Sequence, residues 1–389
     1  VSEGIGERTR ALAETLTGWR RTLHERPELG FEERETAAFV AAVLRDMGLA
    51  VETGIAKTGV VGALRADTAK RPAVLLRADM DALPIQEVEG RPYGSRVPGQ
   101  MHACGHDGHM AMLLGAATIL RAERARLDRD VVFCFQPGEE GFGGAEAMIA
   151  EGVLERYSIA EAYGLHLWSL FPVGTIQLRP GPTMAGNDEF RARFRGRGGH
   201  GALPHRAVDP IVAAAHGVVA LQTVVARSVD PVRPSVVTVG ALQAGSAPNV
   251  IPDEATLRGT MRSFDDAVRT LLRERVRDVL AGTAAAHGCA LEFDLMPGYP
   301  AVVNDPAATE RVRRHAAAVV GEPNVIEPDP MAAAEDFAYF LRKVPGAFAF
   351  VGAGNVERGI DAPHHAPRFD IDEAALPIGA ELLARVALG

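Results

Sequence analysis

Three short apolar runs in this chain each end in residues able to bind a cation or move a proton. That recurrence limits the folds open to it. Ala73-Val74-Leu75-Leu76 leads into Arg77-Ala78-Asp79-Met80-Asp81. Val131-Val132-Phe133-Cys134-Phe135 leads into Gln136-Pro137-Gly138-Glu139-Glu140, and Ala162-Tyr163-Gly164-Leu165 leads into His166. Such runs read as strands buried on both faces. Ligands of open α/β sheets bind beyond the carboxyl ends of strands, so the three runs predict an α/β protein with one functional sheet end. Met110–Leu120 is apolar almost all round and reads as a buried helix. Residues 5–49 read as helical, broken at Pro27 and Gly30 and ending at Gly48.

Between the first two runs lies His102-Ala103-Cys104-Gly105-His106-Asp107-Gly108-His109. Three imidazoles, a thiol and a carboxylate in one short stretch are a ligand set for zinc, and imidazole with carboxylate also suits manganese, cobalt or nickel. Cys104 and His106 are two apart and share a side in extended backbone. Gly105 and Gly108 let the chain bend to aim both inward. Asp79 and Asp81 likewise face one way. Adjacent Glu139 and Glu140 repel unless a cation lies nearby. One such carboxylate can bind metal while its neighbour takes a proton from an attacking water. His166 and the pair His364-His365, ahead of Ala366-Pro367-Arg368-Phe369, complete five candidate segments. Ligands so dispersed and carboxylate-rich argue against a closed structural zinc site.

At 389 residues the chain exceeds the size at which one core stops growing. Its character changes near Gly181-Pro182. Glu189–Arg195 alternates as a half-exposed strand does, Val208–Val225 is an apolar-rich helix, and Ser235–Val239 and Ala255–Arg262 read as strands. Asp265–Ala286 is an amphipathic helix. Strand, helix, strand, strand, helix, strand is the order of a small α+β sandwich, and Pro297-Gly298 reads as its end. The expected organisation is a discontinuous domain of residues 1–184 and 297–389, interrupted by a domain of residues 185–296.

A formal charge of −9 argues against nucleic acid as a partner. Three widely spaced cysteines make no disulfide framework. No run approaches the roughly 20 apolar residues needed to cross a bilayer, and Val1-Ser2-Glu3-Gly4 lacks the basic and apolar regions of a signal peptide. The expectation is a cytoplasmic protein with no membrane partner.

Further motifs follow in order. Arg21-Thr22-Leu23-His24 stands with Pro27-Glu28-Leu29, Glu33 and Thr36 near the start. Later come Gly198 through His205, Asn249-Val250-Ile251-Pro252, Gly259-Thr260-Met261-Arg262-Ser263 and Glu335-Asp336-Phe337. With the segments above, they make the chain resemble, nearly end to end, the aminoacylase/hippurate hydrolase family of dinuclear metallopeptidase-fold amidohydrolases, which includes the plant auxin-conjugate hydrolases. The resemblance implies a zinc-peptidase-like α/β/α catalytic domain with a mixed sheet, and an inserted ferredoxin-like lid and dimerisation domain. It implies two divalent ions per subunit (zinc, manganese, cobalt or nickel) on Cys104, His106, Glu140, His166 and His365. His365 is favoured over His364 by its spacing to Pro367 and Phe369, and His102 and His109 become supporting residues. Glu139 matches the general base, and Asp81 the carboxylate that orients a ligand histidine. His200 matches a histidine that stabilises the oxyanion and, in family dimers, reaches the partner's active site. Asn249 and Arg262 match residues holding the substrate carboxylate or carbonyl, a task suited to the planar guanidinium fork.

The implied reaction is hydrolysis of N-acyl or N-aroyl amino acids by a homodimer, itself able to form a dimer of dimers. A dipeptidase, or a deacetylase of an N-acetyl-diaminopimelate type, would share the chemistry. A non-catalytic metal- or ligand-binding protein would be free to lose Glu139, which is present.

Overall fold

The computed structural model describes residues 3–389. Val1 and Ser2, on which the signal-peptide expectation partly rests, lie outside them. Helices α1 (Glu3–Ala11), α2 (Ala13–His24) and α3 (Arg34–Asp46) precede a hairpin of β1 (Ala50–Ile55) and β2 (Gly59–Leu64). Strand β3 (Ala73–Asp79), helix α4 (His106–Ala122), β4 (Val131–Gln136), β5 (Ile159–Pro172) and the short β6 (Ile176–Gln177) follow. Next come β7 (Gly186–Arg195), α5 (Pro210–Thr223), β8 (Ser235–Ala244), β9 (Glu254–Ser263), α6 (Asp266–Ala286) and β10 (Ala290–Pro297). The chain ends with α7 (Pro306–Val320), the short β11 (Val325–Ile326), β12 (Gly346–Gly354) and α8 (Ala375–Leu388).

The chain divides into two compact units. The larger takes residues up to Thr183, Val303–Asp329 and Asp336–Gly389. Its eight-stranded sheet has the order β1-β2-β4-β3-β5-β12-β6-β11. β3 is parallel to β4 and β5, whereas β1, β2 and β4 pair antiparallel, so the sheet is mixed. All of β2, β3, β4 and β12 is buried, as their apolar runs require. Register then places the chemistry. Asp79 is paired with Gln136, and Arg77 with Gly164, so Asp79, Gln136 and His166 end level with one another. Helix α4 is buried along nearly its whole length against α8, α2 and β3.

The smaller unit is Met184–Val302 with Pro330–Glu335. Its antiparallel sheet has the order β8-β9-β7-β10. Phe190, Ala192, Phe194 and Leu257 pack with Leu272 and Leu280 of α6 in its core. Element order and strand order are those of the ferredoxin-like split βαβ arrangement. Its limits differ from the expected 185–296. β10 continues through Pro297, a position an edge strand tolerates. Beyond it, Asn187 N donates to Tyr299 O at 3.0 Å and Tyr299 N to Asn187 Oδ1 at 2.7 Å. Ala185 N donates to Met331 O at 2.9 Å, which ties residues 330–335 back to the unit.

Helix α5 and the π-turn after it, Pro210–Ser228, are long and apolar enough to cross a membrane by length and composition. Fewer than 20 residues were expected in any such run. Pro210, Ala213, Ala214, Gly217, Leu221 and Val224 form a buried stripe at helical spacing, which is the pattern of a core helix packed on its own sheet.

The turn after β4 is closed tightly around its two glutamates. Gly144 N donates to Gly138 O at 3.1 Å, and Gly138 N to Glu33 Oε1 at 2.9 Å. A Cβ on Gly144 would lie 1.6 Å from the carbonyl oxygen of Pro137, which is backbone and cannot step aside. Gly144→Ala is expected to cost about 3 kcal/mol, the upper end of overpacking penalties, read as a lowered urea midpoint. A midpoint equal to wild type would show that the turn is looser than drawn.

Candidate metal centre

Gly105, left-handed at φ 89°, caps helix α4 and turns Cys104 and His106 toward one point. The pair therefore converges at a helix start, not along extended backbone. Gly108 does not bend the chain. It lies inside α4, where a Cβ would meet Leu167 Cδ1 at 2.4 Å, so it lets the helix approach β5.

Hydrogen bonds fix which ring nitrogens are free. His106 Nδ1 donates to the carbonyl of Asp81 at 2.8 Å, and His166 Nδ1 to the carbonyl of Leu167 at 2.6 Å. A carbonyl only accepts, so in the neutral form of both rings the lone pair is on Nε2. His166 Nε2 lies 3.5 Å from Cys104 Sγ. His365, itself left-handed at φ 64°, places Nε2 3.2 Å from Glu140 Oε1.

Donor atoms of Cys104, His106 and His166 lie within 4.8 Å of one another. So do those of Cys104, Glu140 and His365, and those of His106, Glu139 and Glu140. All five expected ligands are thus brought together, with Cys104 common to the first two groups. His106 Nε2 and Glu140 Oε1 are buried without a hydrogen-bond partner. Glu140 Oε1 faces His365 Nε2 at 3.2 Å without hydrogen-bond geometry, and burying an imidazole nitrogen unpaired is costly; a divalent ion would satisfy both. The donor set fits a pair of such ions.

Asp81 is placed differently from expectation. Its carboxylate oxygens accept the backbone N–H groups of Glu139 and Glu140, each at 2.9 Å. The histidine it orients, His106, is held mainly by its carbonyl, with Oδ1 at 3.5 Å from Nδ1.

The other histidines are accounted for. His109 donates from Nδ1 to Asp79 Oδ1 at 2.6 Å and accepts Leu167 N on Nε2 at 2.8 Å, so it has no free lone pair. His364 bonds the Leu167 carbonyl through Nε2 at 3.0 Å and stacks on Trp168 at 4.3 Å between centroids. That leaves His365 as the one turned toward Glu140. His102 is buried with neither ring nitrogen bonded, and burial pushes its pKa down to about 4.

The centre is short of positive charge. Burial opposes protonation of His106, yet Asp79, Asp81 and Glu140 outweigh it and push its pKa up to about 10. Burial, with Glu140, Glu139 and Asp79 close by, holds the Cys104 thiol well above its usual range. Asp79 stays well below the carboxylate range despite its burial because His106, His109 and Arg77 surround it.

Two features escaped the sequence. Arg77 Nη1 donates to Asp79 Oδ2 at 2.7 Å, its Nε to Gln136 at 2.8 Å and its Nη2 to Asp336 at 2.9 Å, joining β3, β4 and the Glu335-Asp336-Phe337 motif. The signal was a charged residue inside an apolar run. Arg20, buried against Asp107, carried no local signal at all.

The remaining expected residues lie in the smaller unit. His200 and Asn249 sit on a two-stranded ribbon in which His200 pairs with Val250, and Gly201 N donates to Asn249 O at 2.8 Å. Ala202 N donates to His200 Nδ1 at 3.0 Å, so the proton of that ring is on Nε2. Arg262 lies apart from them on β9, its guanidinium on Thr260 Oγ1 and the Met261 carbonyl.

Comparison with known proteins gives the family. The model of peptidase family M20/M25/M40 matches residues 75–389. An IAA-amino acid hydrolase ILR1-like protein of Arabidopsis thaliana is 42% identical over 376 residues, 96% of this chain and 84% of that protein. An N-acetyl-L-cysteine deacetylase of Bacillus subtilis is 43% identical over 365 residues, 94% of this chain and 85% of that protein. The crystal structure of a dinuclear metal-binding peptidase of the M20 family from Bacillus subtilis superposes with a TM-score of 0.85 at 35% identity, covering 97% of this chain and 98% of that one. The chain belongs to peptidase family M20/M25/M40 and is a metal-dependent amidohydrolase of that family.

Proposed function

We propose that this chain hydrolyses the amide bond of N-acyl or N-aroyl amino acids, using two divalent ions held by Cys104, His106, Glu140, His166 and His365. The observation that carries this reading is the paired hold of Asp81 on Glu139 and Glu140. It holds both glutamates at the ligand cluster: Glu140 has donor atoms near both Cys104 with His365 and His106, while Glu139, only 6% exposed, lies beside His106 and outside the Cys104 groups. The names of both relatives above describe conjugates of an amino acid, which supports the substrate class.

When bound, the ions supply Lewis acidity, polarising the scissile carbonyl and acidifying water. Glu139 takes the proton of the attacking water and passes it to the leaving nitrogen. His200, with its proton on Nε2, is suited to donate to the oxyanion. Asn249 and Arg262 are the residues proposed to hold the substrate carboxylate or carbonyl.

Glu139→Gln should keep both ions and lose turnover of benzoyl-glycine and acetyl-amino acids by about 10²–10⁴-fold, the range of a general base. Turnover within a few-fold of wild type would remove Glu139 from that role. Hydrolysis of dipeptides alone would overturn the substrate class.

Metal uptake must also be linked to protons. At pH 7 the metal-free protein carries a proton on His106, whose pKa is raised to about 10, and on the Cys104 thiol, raised well above its usual range. Ligation requires both to leave. Uptake should therefore release about two protons, and affinity should rise with pH until His106 titrates. Calorimetry in buffers of different ionisation enthalpy reads the number directly, and zero release would contradict the ligand set.

The same reading includes a homodimer paired through the inserted unit. Its support is strand β8, Ser235–Ala244, an edge strand of ten residues without charge or proline. Such an edge is a template for pairing unless blunted by lysine. Val236 and Leu242 are exposed on it. The double variant V236K/L242K should stay folded and scatter light as a monomer where wild type is a dimer, and a surviving dimer would point to another face.

A further inference from the structure

We propose that Arg20 is a positioning residue for the ion pair, holding the loop that carries Cys104 and His106 at a fixed separation from the loop that carries His365. The inference rests on the ligand assignment above.

Arg20 projects from α2 and is 0% exposed. Its Nε donates to Asp107 Oδ2 at 2.8 Å, and Asp107 follows His106 in the first turn of α4. Its Nη2 donates to Asp370 Oδ1 at 2.8 Å and its Nη1 to Glu373 Oε1 at 3.2 Å, both just beyond the loop of His365. One planar group thus grips both sides of the centre in three fixed directions, which an ammonium cannot reproduce.

A second tie runs in parallel from the same helix. His24 Nδ1 shares Asp107 Oδ2 at 2.8 Å, and its Nε2 lies 3.2 Å from Glu87 Oε1. Arg91 donates to Glu87 and, through Nη2, to the Phe369 carbonyl at 2.9 Å. Tyr93 closes the cluster by donating to Asp370 Oδ2 at 2.9 Å under the Arg20 guanidinium. The two loops otherwise meet through His365 N donating to Ala103 O at 2.8 Å.

A buried ion cluster is weak evidence for stability, because desolvation offsets most of its attraction. What it supplies is a fixed geometry. Ligand distances in a metal site tolerate only about ±0.2 Å. The group of Cys104, Glu140 and His365 draws ligands from both loops, so the spacing that Arg20 sets is the spacing this group needs.

The test uses the full chain loaded with cobalt(II), with ion release to excess chelator followed in time and the Cys104–cobalt charge-transfer band followed in the same samples. Asp370→Asn weakens the arm toward His365, together with the Tyr93 and Arg91 contacts to the same carboxylate, and Arg20→Lys keeps the charge but loses the fork. Both should fold, as judged by circular dichroism. Asp370→Asn should release one of its two ions at least tenfold faster while the charge-transfer band persists, and Arg20→Lys should speed release of both. Release of both ions at wild-type rates in the two variants, even with a lowered melting temperature, would make Arg20 a scaffold residue only and overturn the proposal. A wild-type chain that takes up fewer than two ions would overturn the ligand assignment, and the role of Arg20 with it.

Discussion

The centre depends on what one aspartate does with three acceptors. The carboxylate of Asp81 takes the N–H groups of Glu139 and Glu140, and its carbonyl takes Nδ1 of His106. Those bonds connect the end of β3, the turn after β4 and the start of α4. The turn carries the proposed base and a candidate ligand, the start of α4 carries another candidate ligand, and no segment could fix its neighbour's orientation from its own sequence. A carboxylate accepting two backbone N–H groups is held by charge-assisted bonds. The peptide between the glutamates is therefore fixed, and both carboxylates come within 4.8 Å of His106.

Around that hold the protein concentrates negative charge. Asp79, Asp81, Glu139 and Glu140 gather here, and among the described residues Arg77, His106 and His109 surround Asp79 while His365 faces Glu140. The raised pKa of His106 reflects a site built for more positive charge than its own residues bring. The buried Nε2 of His106, without a hydrogen-bond partner, says the same in hydrogen-bond terms. A stable apolar core surrounds this frustration on every strand, and such local conflict in an otherwise consistent fold is where function is expected.

Much of this was legible in the sequence because its signals are local. The apolar runs gave β3, β4 and β5, alternation gave β7, and the density of His102–His109 marked the ligand loop. What was not legible depends on contacts between distant segments. His109 is excluded as a ligand only by Leu167 N, 58 positions away, and His364 only by the Leu167 carbonyl. The boundary of the inserted unit fails at 330–335 because Met331 pairs with Ala185. Cys104 and His106 were expected on extended backbone, whereas the left-handed Gly105 starts a helix there; a spacing of two does not distinguish the cases.

Placing two adjacent glutamates at one site also has a cost that the surrounding turn must meet. Neighbouring residues cannot both point into a site from regular strand, where side chains alternate, and a helix would splay them by about 100°. The chain solves this after β4 with a turn closed by the Gly144–Gly138 hydrogen bond and by Glu33 on the Gly138 N–H. Gly138, at φ 59°, and Gly144, pressed on the Pro137 carbonyl, are the residues that allow it. Two glutamates in sequence are common on protein surfaces. Here this turn, and the Asp81 carboxylate beneath it, hold both at the ligand cluster, as the proposed division into ligand and base requires.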